Sequence, residues 1–325
     1  MKAWQRNGIL TVALLAFGAA RLPFEAGLSQ ELRAAGLVPA AMEIGTREKI
    51  GQTSSAVALG GLRTLVATFL NLRAFSFFQE QKWDDVAETF ETIVDLAPRT
   101  RYYWETGSWH SAYNAASYYL NDSELPPLRR KEAWRASIFR GRAFLERGIR
   151  NNPGDWSMQA NLGYLLQDSN KFPAFRNADE TFAAASAAYA KAGENKNAPA
   201  YVRRAAFFSL ARVKGKEKEA LALARSLYAD RVNRVPTLQV LLLILEAHEN
   251  PDMDTAARAI EIFGSKESAY EALSNHWFRT RERFPVYGVA KALESLERQL
   301  NIPPADSIFN KPPPPPAGPD TWFTK

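Results

Sequence analysis

A recurring spacing of small and apolar residues is the feature that most constrains the fold of this 325-residue chain. Each occurrence places a second residue four positions after the first and a third residue three positions further on. Steps of four and three return to the same side of an α-helix, so each triplet predicts one stripe along a helix. Repetition at roughly 34 residues, lengthened by loops, is typical of stacked helix pairs. The triplets are Val86, Phe90 and Ile93; Gly141, Leu145 and Gly148; Ala178, Phe182 and Ala185; Ala220, Ala224 and Leu227; Ala256, Ile260 and Phe263; and Val289, Leu293 and Leu296.

The sequence around the triplets predicts an all-α fold. Helical periodicity is interrupted by Pro, Gly and polar clusters, and the sequence lacks the alternation of apolar and polar residues that is typical of strands. With 46% hydrophobic residues, a chain of this length can bury a full-sized core without covalent cross-links. The sequence has no Cys, which excludes a disulfide scaffold, a thiolate metal site and a cysteine nucleophile.

The first triplet belongs to a longer pattern over residues 70–98. Leu70, Ala74 and Phe77 fall on a first helix, the triplet falls on a second helix, and Pro98 ends the unit. This pattern resembles the tetratricopeptide repeat, a pair of antiparallel helices in which small residues allow close approach and larger residues fill the groove between them.

Later segments resemble the same repeat less completely. Trp104 occupies the aromatic position at which the second repeat begins. Leu162 and Gly163 occupy the Leu-Gly position of the third repeat. Insertions near residues 121–127 and 168–176 lengthen two units, and the last two units lack a Leu-Gly pair. The resemblance implies a superhelix, or solenoid, of about six helix hairpins whose concave surface holds a peptide or a partner helix.

A second resemblance covers residues 56–170. This stretch is similar to an uncharacterised family of bacterial repeat proteins that are anchored in the cell envelope. The resemblance implies one N-terminal membrane segment and suggests no activity. It is carried by residues 58–63, 72–74 and 96–98, by Trp104, and by residues 108–114.

Residues 1–24 have the composition of an export segment. Lys2 and Arg6 precede an apolar run over residues 8–20, and Arg21 follows it. The run is shorter than the roughly 20 residues that cross a bilayer, which favours a cleaved signal peptide, whereas the second resemblance favours a retained anchor. Positive charge before the run places the rest of the chain across the membrane. We expect a single-pass inner-membrane protein facing the periplasm; the alternative is a soluble periplasmic protein after cleavage.

The rest of the chain is expected to form three further segments. Residues 25–55 are predicted to be a helical linker, residues 56–302 the repeat domain, and residues 303–325 a proline-rich tail. A second apolar stretch, residues 56–78, contains two Arg near its middle. Because such charges are costly in lipid, this stretch predicts a pair of core helices rather than a membrane span.

The formal net charge of +6 is concentrated in residues 129–150. One local cluster of cations does not make a general nucleic-acid surface, so we expect no nucleic-acid partner. Arg135 and Arg142 lie on nearly the same side of the predicted helix and are candidates for contact with an acidic protein partner or anionic lipid headgroups. The alternative is an ordinary solvated helix face.

Residues 102–119 are rich in Tyr and Trp. On a helix, Trp109, Tyr113 and Asn114 would be near neighbours, and amphipathic aromatic side chains make good platforms for a peptide or a glycan. The alternative is that these rings fill the core between repeats, as helical aromatic stripes commonly do. A mixed outcome places Trp104 and Trp109 inside and a tyrosine edge outside.

The C-terminal tail contains an unbroken proline run over residues 312–316, which favours an extended polyproline helix. Trp322 and Phe323 follow this run and are candidates for binding in a groove on a partner. The alternative is a stiff, solvated tail.

Catalytic motifs are missing from the sequence. It contains no Gly-rich phosphate loop, no nucleophile elbow and no helix with paired His. We therefore expect no catalytic residue, cofactor or metal site, and we expect a non-enzymatic scaffold of the bacterial envelope that binds a protein partner. The alternative is a helical hydrolase or binding protein for envelope glycans, because two distant carboxylates can converge in the folded chain.

Overall fold

The computed structural model describes residues 62–312, together with Val12, Ala16, Phe17, Ala19 and Ala20 of the N-terminal apolar run. Residues 62–312 are helical and contain no β-strand, which confirms the predicted all-α class. The chain divides into two compact units, residues 1–153 and residues 154–325. This boundary lies within the predicted repeat domain, residues 56–302. The rest of the export segment, the linker and residues 313–325 of the tail lie outside the described residues.

Five α-helices lie in the described part of the first unit, residues 62–153. Helix α1 packs against α2, and α3 continues through a π-helix, His110–Ala115, into α4. All three parts of this long rod pack along α5, and α2 packs against α3 and the π-helix. The helices are α1 (Arg63–Gln79), α2 (Trp83–Leu96), α3 (Arg101–Trp109), α4 (Ala116–Asn121) and α5 (Pro127–Asn151).

Residues 154–312 of the second unit form eight α-helices. Helices α6, α7 and α8 pack in sequence, and α10 contacts α9, α11 and α12. Because α10 is apolar nearly all round, it is buried on all sides and forms the centre of the largest core cluster. The helices are α6 (Trp156–Gln167), α7 (Ala178–Gly193), α8 (Ala200–Leu210), α9 (Glu217–Ala229), α10 (Pro236–Glu249), α11 (Thr255–Phe263), α12 (Lys266–Arg279) and α13 (Val289–Gln299).

Four of the six triplets are buried along their whole length. They are the triplets that begin at Val86, Gly141, Ala220 and Val289. Glycine is required at two close approaches. A Cβ atom on Gly141 would lie 2.5 Å from the Cβ of Ala112, and one on Gly163 would lie 2.7 Å from the ring of Tyr189. The small positions of the pattern therefore mark places where helices touch.

The other two triplets are only partly buried. Ala178 is exposed because it is the first residue of α7, directly after the capping residue Asn177. In α11 the buried residues are Ala259 and Ile262, whereas the predicted Ile260 and Phe263 are half-buried. The predicted register is wrong there, since α11 packs against α10, α12 and α13 and buries a broader face than one stripe. The buried face of α11 consists of Thr255, Ala256, Ala259 and Ile262.

Helix α1 corrects the prediction of a pair of core helices for residues 63–78, and residues 56–61 of that stretch lie outside the described part of the chain. Only Ala67 and Ala74 of this helix are fully buried, with Leu70 and Phe77 half-buried beside them. The opposite side of α1 is apolar and exposed. Periodicity did not reveal this, because a helix with apolar residues on both sides gives no indication of which side faces the core. Within the described part of the chain, no helix has the length and apolar character needed to span a membrane.

Candidate functional site

The predicted aromatic site lies on the rod formed by α3, the π-helix and α4. The π-helix occupies the middle of this rod and contributes Ala112, which Gly141 of α5 approaches closely. π-Turns are rare and are frequently found at functional sites. The predicted residues Tyr113 and Asn114 both belong to this turn, and Trp109 directly precedes it.

Trp109 and Tyr113 form a stacked pair at the surface of the first unit. Their ring centroids are 4.3 Å apart and the rings are nearly parallel, at 17°. Trp109 is 52% exposed and Tyr113 is half-buried. Trp104, in contrast, is buried in the core, where its indole Nε1 donates a hydrogen bond to the carbonyl of Pro98 at 2.8 Å. The mixed prediction is therefore correct for Trp104 and wrong for Trp109, which lies outside.

Asn114 does not extend the stacked pair. Its side-chain amide lies 2.8 Å from Nδ1 of His110, whose ring packs 5.1 Å from Phe78. Burial lowers the pKa of His110, so the ring is neutral near pH 7 and Nδ1 can accept the amide hydrogen. Asn114 also lines a separate cavity of about 580 Å³, beside Trp83 and Tyr118. The three predicted residues thus do not form one site: Trp109 and Tyr113 form the stacked pair, and Asn114 contacts His110 and lines the separate cavity.

Four of the eight basic residues of α5 form ion pairs with acidic residues of the first unit, namely Arg129, Arg140, Arg142 and Arg147. Arg142 pairs with Glu146 at 2.7 Å, and Arg135 lies over the ring of Phe139, with its guanidinium carbon 5.4 Å from the centroid. The acidic residues of α2 provide further partners that were not predicted from the sequence. Arg140 pairs with Asp84 at 3.0 Å, while Arg147 pairs with Asp95 at 3.1 Å and also with Glu91.

The pairing within α5 and with α2 weakens the argument for an acidic partner protein at Arg135 and Arg142, because much of the local charge is already balanced inside the unit. Their predicted role in binding remains a prediction. Trp322 and Phe323 lie outside the described residues, so their role also stays a prediction.

A cavity in the second unit was not predicted from the sequence. It has a volume of about 580 Å³ and lies where three loops meet the end of α10. The loops follow α6, α8 and α12, and they contribute Phe172, Arg212 and Phe284 to the lining. No sequence signal marked Arg212, because its aromatic neighbours are distant along the chain. Among residues 62–312 no group of three or more acidic or His side chains is arranged to hold a metal ion.

Comparison with known proteins identifies no relative. No protein-family model and no curated protein matches the chain. The resemblances to tetratricopeptide repeats and to anchored envelope proteins therefore stay predictions that rest on residue spacing. Function has to be argued from the surfaces and sites themselves.

Proposed function

We propose that this protein is a non-enzymatic interaction scaffold of the bacterial cell envelope, with a tetratricopeptide-like superhelix of about six helix hairpins. The observation that carries the proposal is the exposed apolar surface of α1, called here the α1 stripe. It consists of Leu65, Phe69, Leu72 and Phe75, and each of these side chains is at least half exposed.

The geometry of the α1 stripe explains why it stays exposed. At about 100° per residue, Leu65, Phe69 and Leu72 lie within a narrow sector of α1. Ala67 and Ala74 lie on the opposite side and are buried. The fully buried residues of α1 are thus small, and the large residues of the α1 stripe face outward, whereas an ordinary amphipathic helix buries its large apolar residues.

The outward-facing row of large apolar side chains in the α1 stripe favours binding of a partner protein. Single exposed apolar residues are common on soluble proteins, but contiguous ones mark interaction sites. Aromatic residues are enriched at such interfaces, and the α1 stripe contains Phe69 and Phe75. The stacked pair of Trp109 and Tyr113 provides a second exposed aromatic surface in the same unit. A protein partner fits this chemistry, and nucleic acid does not.

The proposal is tested with the double variant Phe69→Ser and Leu72→Ser in the full-length protein. We expect a crosslinked pull-down from membranes to recover partner protein in amounts at least about tenfold lower than for the wild type, since central apolar contacts dominate most interfaces. Leu128→Ser is the matched control, because Leu128 is exposed in the same unit but lies outside α1. Equal recovery with both variants would overturn the role of the α1 stripe.

The proposed location rests on the N-terminal sequence. Lys2 and Arg6 precede the apolar run, which favours export of the rest of the chain, with the run retained as an anchor or cleaved. A reporter that is active only outside the cytoplasm, fused after Lys325, is expected to be active. Replacing Lys2 and Arg6 with Glu is expected to reduce that activity. A fusion that is active only as a cytoplasmic reporter would contradict the envelope location.

A second candidate function is recognition or cleavage of envelope glycans. It is favoured by the stacked pair of Trp109 and Tyr113, since flat aromatic surfaces suit sugar rings. A panel of glycan substrates separates the two proposals. Turnover that is abolished by one carboxylate substitution would favour the enzyme, whereas glycan binding that is lost in Trp109→Ala without turnover would favour a binding protein.

A further inference from the structure

Arg212 occupies an unusual position in the cavity of the second unit. Its guanidinium carbon lies 3.6 Å from the centroid of the Phe182 ring and 5.4 Å from that of Phe284. Phe182 in turn stacks on Phe172, with 4.5 Å between centroids and 13° between planes. A guanidinium that covers an aromatic face keeps its N–H groups at the edge, where they can donate to a planar anion.

The loops hold this arrangement in place. His276 is buried, and burial lowers its pKa, so the neutral ring donates from Nε2 to the carbonyl of Pro285 at 3.0 Å. This contact fixes the loop that carries Phe284. On the other side, Val213 is buried next to Arg212, and Gly215 allows the loop to turn with a φ of 78°. The cavity is thus formed by packed loops on a helical base.

Two of the cations at the cavity, Arg212 and Arg283, have no direct ion-pair partner among the described residues. Within residues 62–312, Arg212 and Arg283 form no ion pair, and the Arg212 side chain forms no hydrogen bond. Burial, together with the charge of Arg283, lowers the pKa of Arg212 to about 10, which still leaves it cationic near pH 7. A half-buried cation without a counter-ion costs stability unless an anion binds.

Two carboxylates also line the cavity, and they limit the charge of any ligand. Glu217 accepts a hydrogen bond from the amide of Gly215 at 3.0 Å, and such backbone hydrogen bonds lower its pKa, so it is ionised near pH 7. Glu282 is exposed at the rim. The cavity is also lined by three cations, Arg212, Arg283 and Lys214, so its net charge is one positive charge. A ligand with one negative charge suits this net charge better than a ligand with two.

We propose that this cavity binds a small organic monocarboxylate with an apolar body. Arg212 would bind the carboxylate through its planar fork, and the rings of Phe172, Phe284 and Tyr287 would surround the apolar part. A volume of about 580 Å³ accommodates a ligand the size of a capped amino acid or a short peptide end. This site lies in the second unit, so the proposal does not depend on the α1 stripe of the first.

The test uses the full-length protein and calorimetric titration with N-acetyl-phenylalanine, N-acetyl-leucine, N-acetyl-phenylalaninamide and inorganic phosphate. We expect saturable binding of both acids, and affinity at least about tenfold lower for the amide, which lacks the charge. Phosphate is expected to bind more weakly than either acid. Equal binding of acid and amide, no saturable binding of either acid, or tighter binding of phosphate would each overturn the proposal.

The variant Arg212→Met retains most of the side-chain volume and removes the guanidinium. It is expected to fold, as judged by its melting transition, and to bind N-acetyl-phenylalanine at least about tenfold more weakly. Arg281→Met is the matched control, because Arg281 also lies over an aromatic ring, that of Trp277, but does not line the cavity. Unchanged affinity in Arg212→Met, or an equal loss in Arg281→Met, would rule out the proposed role of Arg212.

Discussion

Replacing Phe90 with Ala is expected to lower the free energy of unfolding by about 3–5 kcal/mol. Phe90 is only 2% exposed, and its ring lies 5.5 Å from that of His110 in the π-helix. Helix α2 packs against α1, α3 and the π-helix, so three elements line the cavity that the substitution would create. Because the surrounding helices cannot move in to fill such a cavity, the loss of unfolding free energy falls in the upper range for large-to-small substitutions. Chemical denaturation of the full-length protein measures the effect.

Tyr102→Ala is the matched control for this substitution. Tyr102 is also aromatic and belongs to the same unit, but its side chain is exposed. We expect a change in unfolding free energy of about 1 kcal/mol or less, as is usual for surface positions. If Phe90→Ala were as mild as Tyr102→Ala, the side chain of Phe90 would not lie between these helices.

The substitution Gly141→Ala is expected to destabilise the first unit by about 3 kcal/mol, at the upper end for overpacked cores. The added Cβ would lie 2.5 Å from the Cβ of Ala112 and 2.8 Å from the backbone oxygen of Ser108. A backbone atom cannot move aside as the end of a flexible side chain can, so α5 and the rod would have to separate. Thermal and chemical denaturation both report this loss.

Gly154→Ala is the matched control for this second change. Nothing lies within 4 Å of a Cβ at Gly154, and its φ is not in the left-handed region. We expect Gly154→Ala to be neutral or slightly stabilising, because Ala restricts the unfolded chain more than Gly does. A Gly141→Ala protein as stable as the wild type would mean that α5 and the rod are further apart than described.

The all-α class and much of the core could be predicted from local sequence alone. Phe90, Leu145 and Leu293 are buried as their triplets predict, because a stripe along one helix is a local property. The exposed side of α1 could not be predicted in the same way. Both sides of that helix are apolar, and only the close packing of α2 determines that Ala67 and Ala74 face inward.

The candidate sites depended on contacts between distant residues, which the sequence does not display. Arg140 and Asp84 are 56 positions apart, so the charge balance of α5 became visible only in the fold. Arg212 similarly meets Phe182 of α7 and Phe284 of the loop after α12, both distant from it along the chain. Trp109 and Tyr113 are close in sequence, and their stacking was within reach of sequence reasoning because four positions span about one turn.

The π-helix also compensates for a mismatch between the spacing of the buried residues along the rod and the repeat of an α-helix. Along the rod, the buried positions Trp104, Ser108, Ala112 and Ala116 recur every four residues, which is longer than the α-helical repeat of about 3.6. If both helices were regular α-helices, buried residues spaced every four positions would shift gradually around the helix axis. The two helices would then have to supercoil in a right-handed sense to keep those residues facing the partner helix. The wider π-turn absorbs this mismatch within His110–Ala115. The buried row therefore faces α5 both before and after the π-turn, and α3, the π-helix and α4 all pack against that one helix.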